Sequence, residues 1–69
     1  MYSLRISMLS GSGFAIIVGE DAATVRRNIA IAAHKGEDVS FEAVDGTQTS
    51  LVLNPRQIDG FMHSPKPAG

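Results

Sequence analysis

Between Tyr2 and Met8 every second side chain is apolar, with Tyr2, Leu4, Ile6 and Met8 on one side and Ser3, Arg5 and Ser7 on the other. A period of two is the repeat of a strand with one buried face. After LSGSG comes FAIIV, residues 14–18, a β-branched run that reads as a second strand. Two such runs joined by a short glycine-bearing link predict a hairpin, and this most narrows what the chain can fold into.

Glycines two apart behind a strand also occur in phosphate-cradling loops, so the two readings compete. A Walker loop needs G-x-x-x-x-G-K-[ST], and no lysine or matching Ser/Thr stands at that spacing. A dinucleotide fingerprint needs the glycines to open a helix, whereas Gly11 and Gly13 open FAIIV. They are therefore read as turn residues. Directly opposed residues in a hairpin share a face. A two-residue loop would oppose Ile6 and Met8 to Ile17 and Ala15. A loop of Gly11-Ser12-Gly13 opposes Met8 to Ile16 and Ile6 to Val18, which gathers the larger side chains and puts glycine at the left-handed position of a bulged turn.

Glu20 and Asp21 then start a helix predicted to reach Lys35, with Asp21 as N-cap and Gly36 just past the end. Acids at its start and His34 and Lys35 at its finish suit the helix dipole. Ala22, Val25, Ile29, Ala32 and Ala33 form one apolar stripe, and its alanines let the helix lie close on a sheet. In VSFEAVDGTQTSLVLN, Val39, Phe41 and Ala43 alternate with polar residues around an Asp45-Gly46 turn signal. A Val44-Asp45-Gly46 loop opposes Val39 to Leu51 and Phe41 to Thr49. Asn54-Pro55 closes that strand and starts a short turn, PRQ. Residues 58–63 are expected as a fifth short strand, weakened by Gly60.

The fold class expected is α+β: a ββαββ(β) mainly antiparallel sheet of four to five strands with one helix packed on one face. Residues 1–63 are expected as a single small domain and residues 64–69, SPKPAG, as a mobile C-terminal tail. Sixty-nine residues bury only about 60% of the surface the unfolded chain exposes. Domains this small usually need a disulfide, a metal or a partner subunit. There is no cysteine, which leaves packing or self-association. The longest apolar runs, five residues each, fall far short of the roughly 20 that a membrane helix needs. With no secretory signal read at the N-terminus, a cytoplasmic protein without membrane contact is expected.

The parts for chemistry are few. Two histidines, His34 and His63, do not make a zinc site without cysteine, and no metal or cofactor is expected. The acidic pairs Glu20/Asp21 and Glu37/Asp38 flank the helix, where capping and solubility explain them. No G-x-S-x-G motif is present, and the chain is expected not to be an enzyme. Six Lys and Arg against seven Asp and Glu give a net charge of −1, unlike a dedicated nucleic-acid binder.

What remains is unclaimed apolar surface. With Ile6, Met8, Ile16, Val18, Phe41 and Leu51 turned toward the helix, Leu9, Ile17, Val44 and Val52 fall on the other side, and Ile31 lies off the helix stripe. An apolar outer face marks an interface, unless the last strand covers it. The expected function is a non-enzymatic protein-interaction module, a small homo-oligomeric regulator, inhibitor or accessory factor that acts through this face or a strand edge, on its own copies or on a larger protein. The alternative is anion, nucleic-acid or nucleotide binding through Arg26, Arg27, His34 and Arg56, or in a pocket between subunits.

Two stretches carry resemblances. YSLRISMLSGSGFAIIVGEDAATVRRNI, residues 2–29, resembles the first half of a ubiquitin-type β-grasp in its strand–turn–strand–helix order. LVLNPRQIDGF, residues 51–61, is similar to a stretch of the FlbD-type flagellar regulators. Each implies local strand and turn order; neither assigns a functional residue.

Overall fold

The computed structural model describes residues 1–47 and 49–66. The elements run β1 (Tyr2–Met8), β2 (Gly13–Val18), α1 (Ala22–Lys35), β3 (Val39–Glu42), β4 (Ser50–Leu53), a single 3-10 turn (Pro55–Gln57) and β5 (Ile58–Pro65). This is the expected α+β class, with five strands, antiparallel pairing throughout and one α-helix among the described residues. The strands divide between two sheets, β2-β1-β5 and β3-β4, where a single sheet was expected.

The first hairpin keeps the expected faces but not the expected register. Leu4 lies opposite Ile16 and Ile6 opposite Phe14, so the loop is Leu9-Ser10-Gly11. Met8 donates its N–H to the Ser12 carbonyl at 2.8 Å, and Gly11 donates to Met8 at 3.0 Å. Gly11, at φ 95°, takes the left-handed position expected of Gly13. The reason lies at the far end of the strand. The expected register would have set Leu4 against Glu20, whereas the observed one gives it Ile16 and buries it completely. The second hairpin shifts likewise, pairing Phe41 with Leu51 and Val39 with Leu53. Phe41 gains an apolar partner in place of Thr49, and Leu53 enters the core.

Asp21 caps α1, its carboxylate accepting the Thr24 N–H at 2.8 Å. Gly36, at φ 71°, ends it: the N–H of Glu37 reaches Ala32 O at 2.9 Å and that of Gly36 reaches Ala33 O at 3.3 Å. That reciprocal pair satisfies carbonyls the last turn would otherwise leave open. The predicted stripe is the one that packs, with Val25 and Ala32 buried and Ala22, Ile29 and Ala33 half-buried. Against it lie Leu4, Ile6, Ile16, Val18, Val39, Phe41 and Leu53, which with Val25 and Ala32 make up the core. Asn54 accepts the Arg56 N–H at 3.0 Å, setting Pro55 as the first residue of its turn.

β5 pairs along the free side of β1, Leu4 opposite His63 and Ile6 opposite Phe61, with a bulge at Asp59. It therefore lies in the plane of the sheet and leaves the outer face uncovered. It also runs past its expected end. Ser64 and Pro65 pair with Ser3 and Tyr2, and Lys66 donates to Met1 O at 3.2 Å. Of the tail expected to be mobile, residues 64–66 continue this pairing and residues 67–69 lie outside the described residues.

Candidate interaction surface

The five residues expected at an interface are dispersed. Leu9, 61% exposed, sits at the tip of the first hairpin. Ile17 lies opposite Ser3 at its other end, about 20 Å away at the rise of a strand. Val52 is on the outer side of β4 and Ile31 on the outer side of α1, both exposed. The fold brings together just one pair of the five, Ile17 and Val44, through a hydrogen bond from Val44 N–H to Ile17 O at 3.0 Å.

The outer face of the three-stranded sheet is built instead from Ser3, Arg5 and Ser7 of β1, Ala15 and Ile17 of β2, and Met62 and Ser64 of β5, by the pairing parity of the strands. Met62 lies opposite Arg5 and is 71% exposed, the most exposed large apolar side chain among the described residues. Two shallow clefts open here. One, of about 310 Å³, lies between Arg5, Ser7, Ala15 and Met62. The other, of about 260 Å³, lies between Ser3, Ile17 and the Asp45, Thr47 and Thr49 side of the β3–β4 loop. Met62 is not among the interface residues expected from the sequence, because Gly60 weakens the strand signal around it. The signal was there: Phe61 and His63 continue a period of two, which sends Met62 to the opposite face.

The two edges of this sheet differ. The β2 edge is partly occupied by the Val44 N–H and the loop that follows it. No strand among the described residues pairs with the far edge of β5. On its inner side β5 is held firmly. His63 Nε2 donates to the Glu20 carbonyl at 2.9 Å, its ring lies 4.5 Å from that of Tyr2, and the Arg26 guanidinium lies over Phe61 at 5.7 Å. These contacts fix the strand while leaving its backbone edge open.

The residues of the anion-binding alternative do not converge. Arg26 is committed to Phe61. Arg56 reaches the Ala33 carbonyl at the helix end, at 3.5 Å. Ala33 is about 10 Å along the axis from Arg26, and the cleft beside Arg56 is shared with Glu37 and Asp38, which repel anions. His34 and Arg27 are exposed. Among the described residues no three His, Asp or Glu side chains group so as to hold a metal ion, and no helix is long and apolar enough to cross a membrane.

No protein-family model matches this chain, and no characterised protein or solved structure is significantly similar to it.

Proposed function

We propose that this protein is a non-enzymatic interaction module that works as a homo-oligomer, in the manner of a small regulator, inhibitor or accessory factor. The observation that carries the reading is Met62, standing 71% exposed on a sheet face next to a strand edge with which no described strand pairs. Fully burying a methionine side chain is worth about 1.5–3 kcal/mol. A core of nine buried apolar residues among those described makes that gain matter, because a domain this size has little stability to spare.

Light scattering at two protein concentrations, each in low and high salt, tests the reading. A dimer or higher oligomer that persists in high salt supports it, since apolar and backbone contacts are little screened. A monomer under all four conditions removes the homo-oligomer.

A further inference from the structure

We infer that Asp45 and Gly46 form a self-modification site, at which the Gly46 backbone nitrogen closes on the Asp45 side-chain carboxyl and converts the residue to isoaspartate. The step balances without a co-reactant. The nitrogen bonds to Cγ of the neutral carboxyl, the proton of the nitrogen and the carboxyl hydroxyl leave together as water, and a cyclic imide results. Water then adds to one of the two ring carbonyls. Addition at the side-chain carbonyl restores aspartate, and addition at the main-chain carbonyl leaves the peptide running through Cβ. Glycine on the C-terminal side favours ring closure because no Cβ crowds the attacking nitrogen. The chain has two such pairs, Asp45-Gly46 and Asp59-Gly60.

The fold separates the two pairs. Asp45 and Gly46 lie exposed in the β3–β4 loop. Asp45 Oδ1 accepts the Thr47 N–H at 3.3 Å, which folds the carboxyl back over the Asp45–Gly46 peptide, beside the nitrogen that attacks. Gly46 gives its N–H to no backbone acceptor among the described residues, and a Cβ added to it would meet nothing within 4 Å, so the ring has room. Gly60, by contrast, lies opposite Ser7 in the β1–β5 ladder. Counting in twos from the Lys66–Met1 bond makes this a hydrogen-bonded pair, which spends the Gly60 nitrogen on Ser7. Asp59-Gly60 must therefore open locally before it reacts. The position of Asp45 gives its ageing a consequence. Isoaspartate inserts a methylene into the main chain directly after Val44, whose N–H bonds to Ile17 O at 3.0 Å and occupies the β2 edge. Loosening that cover exposes an edge that pairs with other chains. The Thr47 hydroxyl holds the Asp45 carboxyl below its ordinary value, which keeps the reacting neutral form scarce and the change slow.

Trypsin cuts after Lys35 and Arg56, so the two Asp-Gly pairs fall on separate peptides, 36–56 and 57–69. The full chain is incubated for weeks in neutral buffer, folded or in urea, and each peptide is scored for isoaspartate by electron-transfer fragmentation. In urea the two sites are expected to age at similar rates. In the folded protein Asp45 is expected to age at least about tenfold faster than Asp59. Equal rates in the folded protein would show that the fold does not select the site. An Asp45 that ages only in urea would show that the Thr47 bond holds the carboxyl off the nitrogen. Either result overturns the assignment. Asp45→Ser keeps an oxygen for the Thr47 N–H but forms no imide. Its light scattering should stay at the fresh value, while that of wild type rises as isoaspartate accumulates. If the variant rises equally, the β2 edge is not released at residue 45 and the stated consequence of ageing is overturned.

Discussion

Val44 donates its backbone N–H to the carbonyl oxygen of Ile17 at 3.0 Å, and this bond links the two sheets outside the core. Ile17 lies on the edge strand of one sheet and Val44 just beyond the last residue of β3 in the other. The same bond turns Val44 away from its own hairpin, whereas its neighbour Ala43 still bonds across it, to Thr49 at 2.9 Å. The side chain follows, its Cγ1 coming within 3.8 Å of where a Cβ on Gly19 would stand. A residue placed by its sequence in a tight turn thus serves as a guard on the β2 edge.

Replacing Val44 by proline removes that donor and frees the edge. Losing one hydrogen bond costs about 1 kcal/mol, and the loss should appear as a lower urea midpoint with an unchanged slope. An uncovered edge also invites pairing with other chains. Val44→Pro should therefore scatter more light than wild type at equal concentration, and an unchanged midpoint would show the Val44–Ile17 bond to be of no consequence.

Gly36 is the one helix-terminal position where the backbone demands glycine, at φ 71°. Alanine there meets no steric neighbour within 4 Å, so any cost comes from the left-handed backbone alone. Gly36→Ala should lower stability by about 1 kcal/mol, and Gly36→Asn by less, since asparagine tolerates this conformation. Urea denaturation of the two variants checks the order.

The Asp21 carboxyl is held below its ordinary value of 3.8, chiefly by the backbone N–H of Thr24 and secondarily by the Thr24 side chain. A carboxylate whose folded pKa is depressed contributes stability that is present above its unfolded pKa and is lost as pH falls through the folded one. Asparagine at position 21 can still accept from the helix start but does not titrate. The stability difference between wild type and Asp21→Asn should thus be constant above about pH 5 and shrink below about pH 4. Guanidinium melts from pH 2 to 7 measure it; a pH-independent difference would mean that the Thr24 bond does not favour the charged form.

Much of this arrangement is legible in the sequence, and the unread part has a common cause. Period two fixes which face a residue points to, so Leu4, Ile6, Ile16, Val18 and Phe41 were assignable to one side before any register was known. Register is a weaker signal. Shifting the hairpin loop by two residues preserves every face, so nothing local separates Gly11 from Gly13 as the left-handed residue. The choice is made by the far end, where Leu4 must find Ile16 and not Glu20. Helix limits were readable because Asp21 and Gly36 act locally. The surface was not: the dispersal of Leu9, Ile17, Ile31 and Val52, and the exposure of Met62, follow from where β5 inserts. That is a contact between the two ends of the chain, invisible to any short window.

His63 is the side chain through which that long-range insertion can be tested. It stands on β5, reaches past Tyr2 of β1, and donates to the carbonyl of Glu20 at the entry to α1, 43 residues away in sequence, so that one side chain ties three elements together. Alanine at 63 removes the hydrogen bond, worth about 1 kcal/mol, and the ring contact with Tyr2, worth about 0.5–1.5 kcal/mol. Together they should destabilise the chain by about 2 kcal/mol, a large share of what a domain this small possesses. The loss should also be local. Amide exchange ought to quicken along Gly60–Ser64 before it quickens in β3 and β4, because only the first sheet loses its tie. If exchange quickens equally in both sheets, the chain opens as one unit, and His63 stabilises the whole fold without specifically holding β5 in place.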